Sequence, residues 1–516
     1  MLARVIGDKV VVPSTTQIVG LLNPSRELNI DGRKYAVLPH EESTTKVLRN
    51  IGVDTPAPIL SRYDWSESTP FASQKTTAAM LSMENRAYVL STMGVGKTRA
   101  ALFAFDWLRR YGNAEPALVI APLSTLTTVW DREVFEIFPH MRTVVLHGTR
   151  AKRQQLLKTP GVDVFVINHD GVEVIAAEIA AMKWGVVVVD EASAYSNAQT
   201  NRWKTLDSIV NPKGRLPLRA WALTGSPTPD APTDAYGIAK LVTPHSVPRS
   251  FRRFKLMTMT ELSQFRWIAR GDANDIVAAA LKPSVRFTLD ECHDIPETSM
   301  STRSVPMSPK QKSLYDRMSH HLTAEVRGQE VTAINEAAKL MKLLQISAGF
   351  AYSDGTGVHI DSGPRLTELF EIIAQSEKKV LVFASFKWLV RALKVAISNR
   401  YTVEAITGDV SKGERDSIFA AFRGSANPRV IVAHAGTMAH GLNLIEASTI
   451  VWYGPTLSSE LYEQANARIR RPGQACKTHV IHIESSQAEK RAFSRLKHKQ
   501  KMQGLLLELL GGVREE

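Results

Sequence analysis

The stretch Tyr88–Phe105, YVLSTMGVGKTRAALFAF, predicts a β-strand, a glycine-containing turn and the start of a helix. Glycines in the turn allow backbone N–H groups to close around phosphate, and the helix N-terminus adds a partial positive charge. Lys97 is placed to reach the β- and γ-phosphates of a nucleotide, and Thr98 to bind Mg²⁺. The alternative is a plain turn before a helix with a surface lysine. The strand before the turn favours a phosphate-binding loop, whose members are Met93, Gly94, Val95, Gly96, Lys97 and Thr98.

Apolar, β-rich runs recur on both sides of this loop. One series lies between residues 71 and 244, and its members are ALVIAP, TVVLHG, DVFVINH, GVVVVDEAS and RAWALTGSP. A second series lies between residues 379 and 483, and its members are KVLVFAS, TVEAITG, RVIVAHA, TIVWYG and THVIHI. Strands that are apolar on both faces and alternate with helices are typical of parallel sheets covered by helices on each side. The sequence therefore predicts an α/β protein with two parallel-sheet lobes in tandem.

The rest of the chain is predicted to add smaller elements around these lobes. Short β-branched runs alternate with turn residues at the N-terminus and predict a small accessory α+β domain. Amphipathic stretches between the two lobes predict mainly helical protrusions and a linker. The tail predicts one basic helix, either facing nucleic acid or acting as a strut. The predicted boundaries are 1–64 (accessory domain), 65–249 (first lobe), 250–376 (helical protrusion and linker), 377–488 (second lobe) and 489–516 (C-terminal helix).

Two carboxylates follow an apolar run directly in GVVVVDEAS. Asp190 is placed to hold a metal ion, together with Thr98, and Glu191 to polarise an attacking water. Acidic residues also follow strands as helix caps, which is the simpler interpretation of this pair taken alone. The upstream lysine loop favours the catalytic interpretation.

Two arginines in QANARIRRPGQ, Gln464–Gln474, are spaced three residues apart. On a helix, Arg468 and Arg471 would project from one face. Guanidinium groups in that arrangement could reach the γ-phosphate of ATP and stabilise charge in the transition state. A solvated basic helix is the alternative.

Composition narrows the class of protein further. The 516 residues are 44% hydrophobic and 22% charged, which is typical of globular proteins, and the formal net charge is +13. A positive excess favours a polyanionic partner, first of all nucleic acid. No apolar run approaches the roughly 20 residues of a spanning helix. Cys292 and Cys476 stand in no metal-ligand spacing, which fits a reducing compartment.

The order of these motifs resembles the superfamily-two helicase-like ATPases of the Swi/Snf type, over residues 71–483. FASQKTTAAML resembles the adenine-reading segment with Gln74, and VIAPLSTLTTVWDREV resembles the motif that leads from Ala121-Pro122 to Trp130 and Glu133. LTGSP at Leu223–Pro227 and the "Q…LY" helix are similar to further motifs. HGLNL, with Gly441 and Asn443 as nucleotide contacts, and RIRRPGQ complete the set.

This resemblance implies two RecA-like lobes that use ATP and Mg²⁺ to move along DNA. It further implies nucleic-acid contacts at Ser124, Thr125, Asn168, His169 and Thr437. The sequence also departs from the family: Ser193 stands where histidine is usual, and Ser91 and Thr92 where an acidic pair is usual. Ser91 also stands where the strict phosphate-loop pattern has glycine. These departures put the coupling of hydrolysis to movement in question, whereas the residues of hydrolysis remain.

Three hypotheses follow. The leading one is an ATP-dependent translocase on double-stranded DNA that remodels DNA structures or displaces bound proteins, acting as a monomer. The second is a fork or branched-DNA helicase or an annealing helicase. The N-terminal sequence faintly resembles the small domain that precedes the motor in family members with these activities. The third is a DNA-binding scaffold with a degenerate ATPase. The compact chain is expected to act on DNA in the cytoplasm of a bacterial or virus-infected cell, or in the nucleus if the source is eukaryotic.

Overall fold

The computed structural model describes residues 3–511 except 67, 113, 215–217, 264–265, 293, 322, 327–328, 333–335, 354–355 and 439–442. The chain divides into two compact units, one within Met1–Cys292 and from Leu505 onward, and the other within His293–Gly504. Each unit contains one parallel sheet. Among the described residues, no helix is long and apolar enough to cross a membrane.

A small antiparallel sheet begins the first unit, with strand order β1-β2-β4-β3. Asp31 and Gly32 have positive φ angles of 49° and 77°, as a tight hairpin between β3 and β4 requires. Val10, Leu38 and Leu48 are fully buried between the sheet and its helices. The elements are β1 (Arg4–Ile6), β2 (Lys9–Pro13), α1 (Thr16–Leu22), β3 (Arg26–Ile30), β4 (Arg33–Pro39), α2 (Glu42–Asn50) and α3 (Pro58–Arg62).

The first parallel sheet has seven strands in the order β13-β5-β10-β9-β6-β8-β7. Its strands are β5 (Arg86–Val89), β6 (Ala117–Ala121), β7 (Thr143–Val145), β8 (Val164–Asn168), β9 (Val186–Asp190), β10 (Ala220–Leu223) and β13 (Ser284–Val285). Its α-helices are α4 (Ala72–Met83), α5 (Lys97–Gly112), α6 (Arg132–Ile137), α7 (Arg150–Leu157), α8 (His169–Val174), α9 (Ala176–Ala181), α10 (Asn201–Val210) and α11 (Ala235–Val242).

Both faces of this sheet are buried. Along β9, Val187 and Val189 belong to one hydrophobic cluster, whereas Val186 and Val188 belong to another. Successive side chains of a strand point to opposite faces, so helices must cover both. The predicted parallel α/β fold is confirmed for this unit.

The segment between the sheets differs from the sequence prediction of mainly helical structure. Antiparallel hairpins interrupt its helices, and two of its strands complete the parallel sheets: β13 pairs with β5, and β14 pairs with β23. Its elements outside the first sheet are α12 (Phe251–Thr258), β11 (Met259–Ser263), β12 (Arg266–Ala269), α13 (Ala273–Ala280), α14 (Leu289–Cys292), β14 (Thr298–Ser304), α15 (Pro309–His321), β15 (Thr323–Val326), β16 (Gln329–Thr332), α16 (Glu336–Ser347), β17 (Phe350–Ser353), β18 (Thr356–His359) and α17 (Gly363–Gln375).

The second parallel sheet has six strands in the order β14-β23-β22-β19-β21-β20. Val380 and Val382 pack on one face, and Leu381 and Phe383 on the other. This alternation confirms the second parallel lobe. The remaining elements are β19 (Lys379–Ala384), α18 (Lys387–Ser398), β20 (Val403–Ile406), α19 (Lys412–Gly424), β21 (Val430–His434), β22 (Ala447–Trp452), α20 (Ser459–Asn466), β23 (Thr478–Glu484) and α21 (Gln487–Gly511).

The start of the C-terminal helix α21 packs on the second sheet's hydrophobic core. Phe493 and Leu496 are buried in that core, and the Phe493 ring stacks on His482 of β23 with centroids 4.2 Å apart. The first turns of α21 therefore fit the strut interpretation.

Candidate nucleotide-binding site

The loop between β5 and α5 depends on its glycines. Gly94 and Gly96 have φ angles of +90° and +84°, a left-handed backbone conformation that residues with a Cβ rarely adopt. A Cβ on Gly96 would lie 2.0 Å from Nε2 of Gln74. Gly96 is therefore required by both backbone conformation and space, and the loop leads directly into the N-terminus of α5 at Lys97.

The Lys97 side chain turns back onto its own loop. Its Nζ donates to the carbonyl oxygens of Ser91 at 2.9 Å and Thr92 at 3.3 Å. The ammonium group is thereby held beside the loop by weak, neutral acceptors. Phosphate oxygens are stronger acceptors for a cation, so a nucleotide could replace these carbonyls.

Ser91 ties the loop to the edge of the sheet. Its side chain is 1% exposed, and its Oγ accepts a hydrogen bond from the backbone N–H of Phe287 at 3.0 Å. The backbone N–H of Thr92 donates to the Phe287 carbonyl at 3.0 Å. The serine that departs from the strict motif thus anchors the loop to the residues that follow β13.

Asp190 lies at the carboxyl end of β9, next to β6 in the sheet. Its Oδ2 accepts a hydrogen bond from Nε1 of Trp130 at 2.9 Å, and its Oδ1 accepts one from the Glu191 backbone at 3.1 Å. Burial raises the pKa of the Asp190 carboxyl, while the Trp130 N–H and the Lys97 charge act in the opposite direction. Asp190 and Lys97 therefore belong to one electrostatic environment.

Glu191 has an unusual backbone conformation. Its φ and ψ of 49° and 55° lie in the left-handed region, which costs a residue with a Cβ about 1–3 kcal/mol. A short 3₁₀ turn, Ala192–Tyr195, follows, and Ser193 is buried within it. Such strain at the end of a central strand is typical of functional positions, and it turns Glu191 out of the strand direction.

Gln74 contacts the phosphate loop and also caps its own helix. Its Oε1 accepts from the Phe71 backbone at 3.0 Å, and its Nε2 donates to the Gly96 carbonyl at 3.4 Å. The side chain is 2% exposed. The structure therefore brings Gln74 to the loop, while its reading of adenine stays a prediction.

The arginines of the second unit do not lie on a helix, and that part of the prediction is wrong. Helix α20 ends at Asn466, and Arg468 and Arg471 occupy the turns that follow. Gln474 draws this segment back to the sheet, since its Nε2 donates to the carbonyls of Ile445, Ala447 and Ile469. The bonds to Ile445 and Ala447 hold this segment against the sheet, and the helix that the arginine spacing predicts does not form there.

The two arginines differ in exposure. Arg468 is 1% exposed, and its carbonyl accepts from the Leu444 backbone at 3.1 Å. Arg471 is half-buried, and its Nε donates to the Ala467 carbonyl at 2.9 Å. Asn443, a predicted nucleotide contact, is exposed, whereas Gly441 lies outside the described residues.

The predicted nucleic-acid contacts of the first unit follow the ends of β6 and β8, which are adjacent strands. Ser124 is exposed, but Thr125, Asn168 and His169 are largely buried. Asn168 Oδ1 accepts from Arg153 at 3.1 Å, and His169 Nδ1 lies 3.3 Å from the Tyr195 hydroxyl. In the second unit, half-buried Thr437 donates to the His434 carbonyl at 2.7 Å.

Sequence reasoning missed the side chains that support these positions. Trp130 and Glu133 were recognised as parts of a motif, but the bonds from Trp130 to Asp190 and from Arg99 to Glu133 were not predicted. Arg99 follows Thr98 directly, and this position next to the phosphate loop is a local signal that could have identified Arg99 as a residue of the site. The Trp130–Asp190 bond spans 60 residues and has no local signal.

Two protein families match most of the chain. The SNF2-related domain family matches residues 75–349, and the helicase conserved C-terminal domain matches residues 364–473. A putative protein of Acyrthosiphon pisum secondary endosymbiont phage 1 is 26% identical over 458 residues, covering 82% of this chain and 95% of the relative. A putative ATP-dependent helicase/translocase of Bacillus subtilis is 23% identical over 421 residues, covering 76% of this chain. The chain spans 43% of the length of that relative.

Solved structures include the Swi2/Snf2 ATPase core of Sulfolobus solfataricus in complex with double-stranded DNA. It is 22% identical and superimposes with a TM-score of 0.41, covering 86% of this chain and 94% of that chain.

Proposed function

Because the chain belongs to the SNF2-related family of superfamily-two, helicase-like ATPases, we propose that it is an ATP-driven translocase on double-stranded DNA. The proposed activity remodels DNA structures or displaces proteins bound to DNA. One observation carries the nucleotide part of the proposal: the glycine loop, Lys97 and Asp190 meet at the carboxyl edge of the first parallel sheet.

The candidate residues of the two units have separate proposed tasks. Backbone N–H groups of the loop and the Lys97 ammonium group bind the phosphates of ATP. Glu191, turned out of the strand by its left-handed conformation, orients the attacking water. Arg468 and Arg471 supply positive charge to the γ-phosphate in the transition state.

The donor set fits Mg²⁺. A hydroxyl oxygen from Thr98 and a carboxylate oxygen from Asp190 are the hard ligands that Mg²⁺ prefers, with waters and nucleotide phosphates completing its coordination. Burial raises the pKa of the Asp190 carboxyl, whereas the Trp130 N–H and the Lys97 charge act in the opposite direction and favour the ionised form that can hold the ion. Bound Mg²⁺ would neutralise charge that develops on the phosphates.

A nucleic-acid track is proposed for two reasons, and the resemblance to Swi/Snf-type motors implies that this track is double-stranded DNA. A net charge of +13 favours a polyanion, because lysines and arginines that neutralise phosphates release condensed counterions. The Bacillus relative is also described as a helicase/translocase. The exposed Ser124 beside β6 is the proposed first-lobe contact.

ATP turnover measured with duplex, single-stranded and forked DNA and with RNA tests the track. We expect the largest stimulation from duplex DNA and no strand displacement from a simple duplex. Equal stimulation by single-stranded DNA or RNA would refute the duplex track. Strand displacement confined to forks would favour the fork helicase instead. Lys97→Ala serves as the control that removes hydrolysis from every arm.

A further inference from the structure

A continuous helical segment joins the proposed DNA-contact loop to the nucleotide site. It begins directly after Ser124 and Thr125 as a π-helix, Leu126–Asp131, and continues without a break as α6. A π-helix is rare and is frequently found at functional sites. Compared with an α-helix, each of its turns holds an extra residue. The extra residue changes which side chains of this segment face the sheet.

Trp130 is the first anchor of this segment. Its indole is 0% exposed, and Nε1 donates to Asp190 Oδ2 at 2.9 Å. Its backbone N–H donates to the Thr125 carbonyl at 3.1 Å. Trp130 is therefore bonded at one end to the residue beside Ser124 and at the other to the proposed metal ligand.

Glu133 is the second anchor. Its Oε2 lies 2.6 Å from Nε of Arg99, which follows Thr98 in the first turn of α5. The Glu133 side chain is 16% exposed, so water screens this ion pair only in part. The segment is thus attached to both proposed Mg²⁺-binding elements, at the end of β9 and at the start of α5.

Other buried tryptophans of the same unit show that the acceptor of Trp130 is unusual. Trp184 donates to the Ile179 carbonyl at 2.9 Å, and Trp203 donates to the Gly237 carbonyl at 2.8 Å. A backbone carbonyl is enough to satisfy a buried indole N–H. Trp130 instead uses the carboxylate proposed to hold the metal, and hydrogen bonds of this kind orient metal ligands.

We propose that Trp130 is a positioning residue that orients the Asp190 carboxylate for the metal of the bound nucleotide, and that residues 124–133 transmit DNA contact at Ser124 to this carboxylate. This inference rests on the proposed function. The indole N–H fixes one carboxylate oxygen, and the Glu191 N–H fixes the other. Each oxygen keeps a second lone pair that can bind a metal.

The test is Mn²⁺ binding to the full chain mixed with less than one equivalent of a non-hydrolysable ATP analogue, monitored by electron paramagnetic resonance of free Mn²⁺. For Trp130→Phe, which keeps an aromatic ring and removes the N–H, we expect Mn²⁺ affinity to fall by about 10- to 100-fold. Turnover should recover at high Mg²⁺, which a general folding defect would not allow. Trp184→Phe is the matched control, because it also removes one buried indole N–H, and its affinity should equal that of the wild type.

Comparison with Asp190→Asn separates the positioning role of Trp130 from the metal-binding role of Asp190. If Asp190→Asn weakens Mn²⁺ binding and Trp130→Phe does not, the positioning role of Trp130 is wrong. If neither variant weakens it, the metal role of Asp190 in the proposed function is wrong as well. Thermal unfolding of each variant checks that the chain is folded.

The coupling half of the proposal needs the same titration with and without duplex DNA. By reciprocity, DNA that favours the metal-binding arrangement should raise Mn²⁺ affinity in the wild type. We expect this increase to disappear in Trp130→Phe and to shrink in Glu133→Gln, which retains the Trp130–Asp190 bond. An undiminished DNA effect in both variants would overturn the coupling. If Trp130→Phe does not fold, the effect of DNA on Mn²⁺ affinity in Glu133→Gln tests the coupling by itself.

Discussion

The two parallel-sheet units use charged side chains in different ways. In the first unit, Lys97 lies at the sheet's carboxyl edge, where its ammonium group donates to two carbonyls of its own loop. In the second unit, Arg365 and Glu489 form an ion pair at 2.8 Å, with side chains 2% and 0% exposed. Nearby loop carbonyls that accept from such a charge can be exchanged for a ligand. A charge that the protein saturates can serve only the fold.

Arg365 shows what saturation means. Every N–H of its guanidinium group faces an acceptor in the second unit, and these acceptors are the carbonyls of Ser347, Tyr453 and Ile483, the Ser485 hydroxyl and the Glu489 carboxylate. Substitutions should therefore separate two kinds of effect, on turnover and on stability.

The largest effect is expected at Arg471, the half-buried arginine of the second unit. Arg471→Ala should lower the rate of ATP turnover by about 10³- to 10⁵-fold, with ATP affinity changed far less, because such arginines act on the transition state. Steady-state kinetics and nucleotide binding measure the two quantities. An unchanged turnover rate would place Arg471 with Arg365 as a structural residue. Thermal unfolding should match the wild type.

The next effect concerns Glu489. Glu489→Gln leaves the Arg365 charge buried without its counter-ion, and the free energy of unfolding of the second unit should fall by about 3–5 kcal/mol. Urea unfolding measures this loss. Glu368→Gln is the matched control, because its pair with Arg303 is long, at 3.6 Å, and partly exposed, so the expected loss is below about 1 kcal/mol. Equal losses at the two sites would contradict the contrast.

Lys97→Ala should lower ATP turnover and leave stability nearly unchanged, whereas Glu489→Gln should lower stability. Turnover should fall by about 10²- to 10³-fold, because one preorganised charge is lost at the phosphates, and nucleotide binding should weaken. The unfolding temperature should hardly change, since the Lys97 ammonium group donates to two carbonyls of the adjoining loop rather than to the hydrophobic core. Lys158→Ala, an exposed lysine of the same unit, is the control. A large loss of stability would show that Lys97 serves the fold.

A smaller effect depends on pH. Burial, with help from the Lys497 charge, lowers the pKa of His482 from 6.5 to about 4. The unfolded state therefore binds the proton first as pH falls, and stability is lost between pH 6.5 and 4. The full loss is about 3 kcal/mol, at 1.36 kcal/mol per pKa unit. Urea unfolding from pH 7.5 to 4.5 measures most of this loss, and His482→Gln should remove this part of the pH dependence while other groups keep theirs.

Local sequence patterns were enough to predict the two parallel sheets and the phosphate loop. Apolar runs such as ALVIA became strands buried on both faces, and Gly94 and Gly96 took the left-handed conformations that their positions in the motif require. Patterns of this kind succeed because hydrophobic periodicity and glycine conformation act over a few residues. The sites of individual nucleotide and DNA contacts remain predictions.

Other features depend on contacts between distant parts of the chain, and only the tertiary structure decided them. Ser91 bonds to Phe287 across 196 residues, and Trp130 bonds to Asp190 across 60. Gln474 bonds to the carbonyls of Ile445 and Ala447, and Arg468 and Arg471 lie beyond the end of α20 instead of on the helix that their spacing predicts. The sequence by itself determined which elements form and where the phosphate loop lies. The pairing of distant polar groups was decided by the folded chain, because a buried donor must find an acceptor wherever packing brings one.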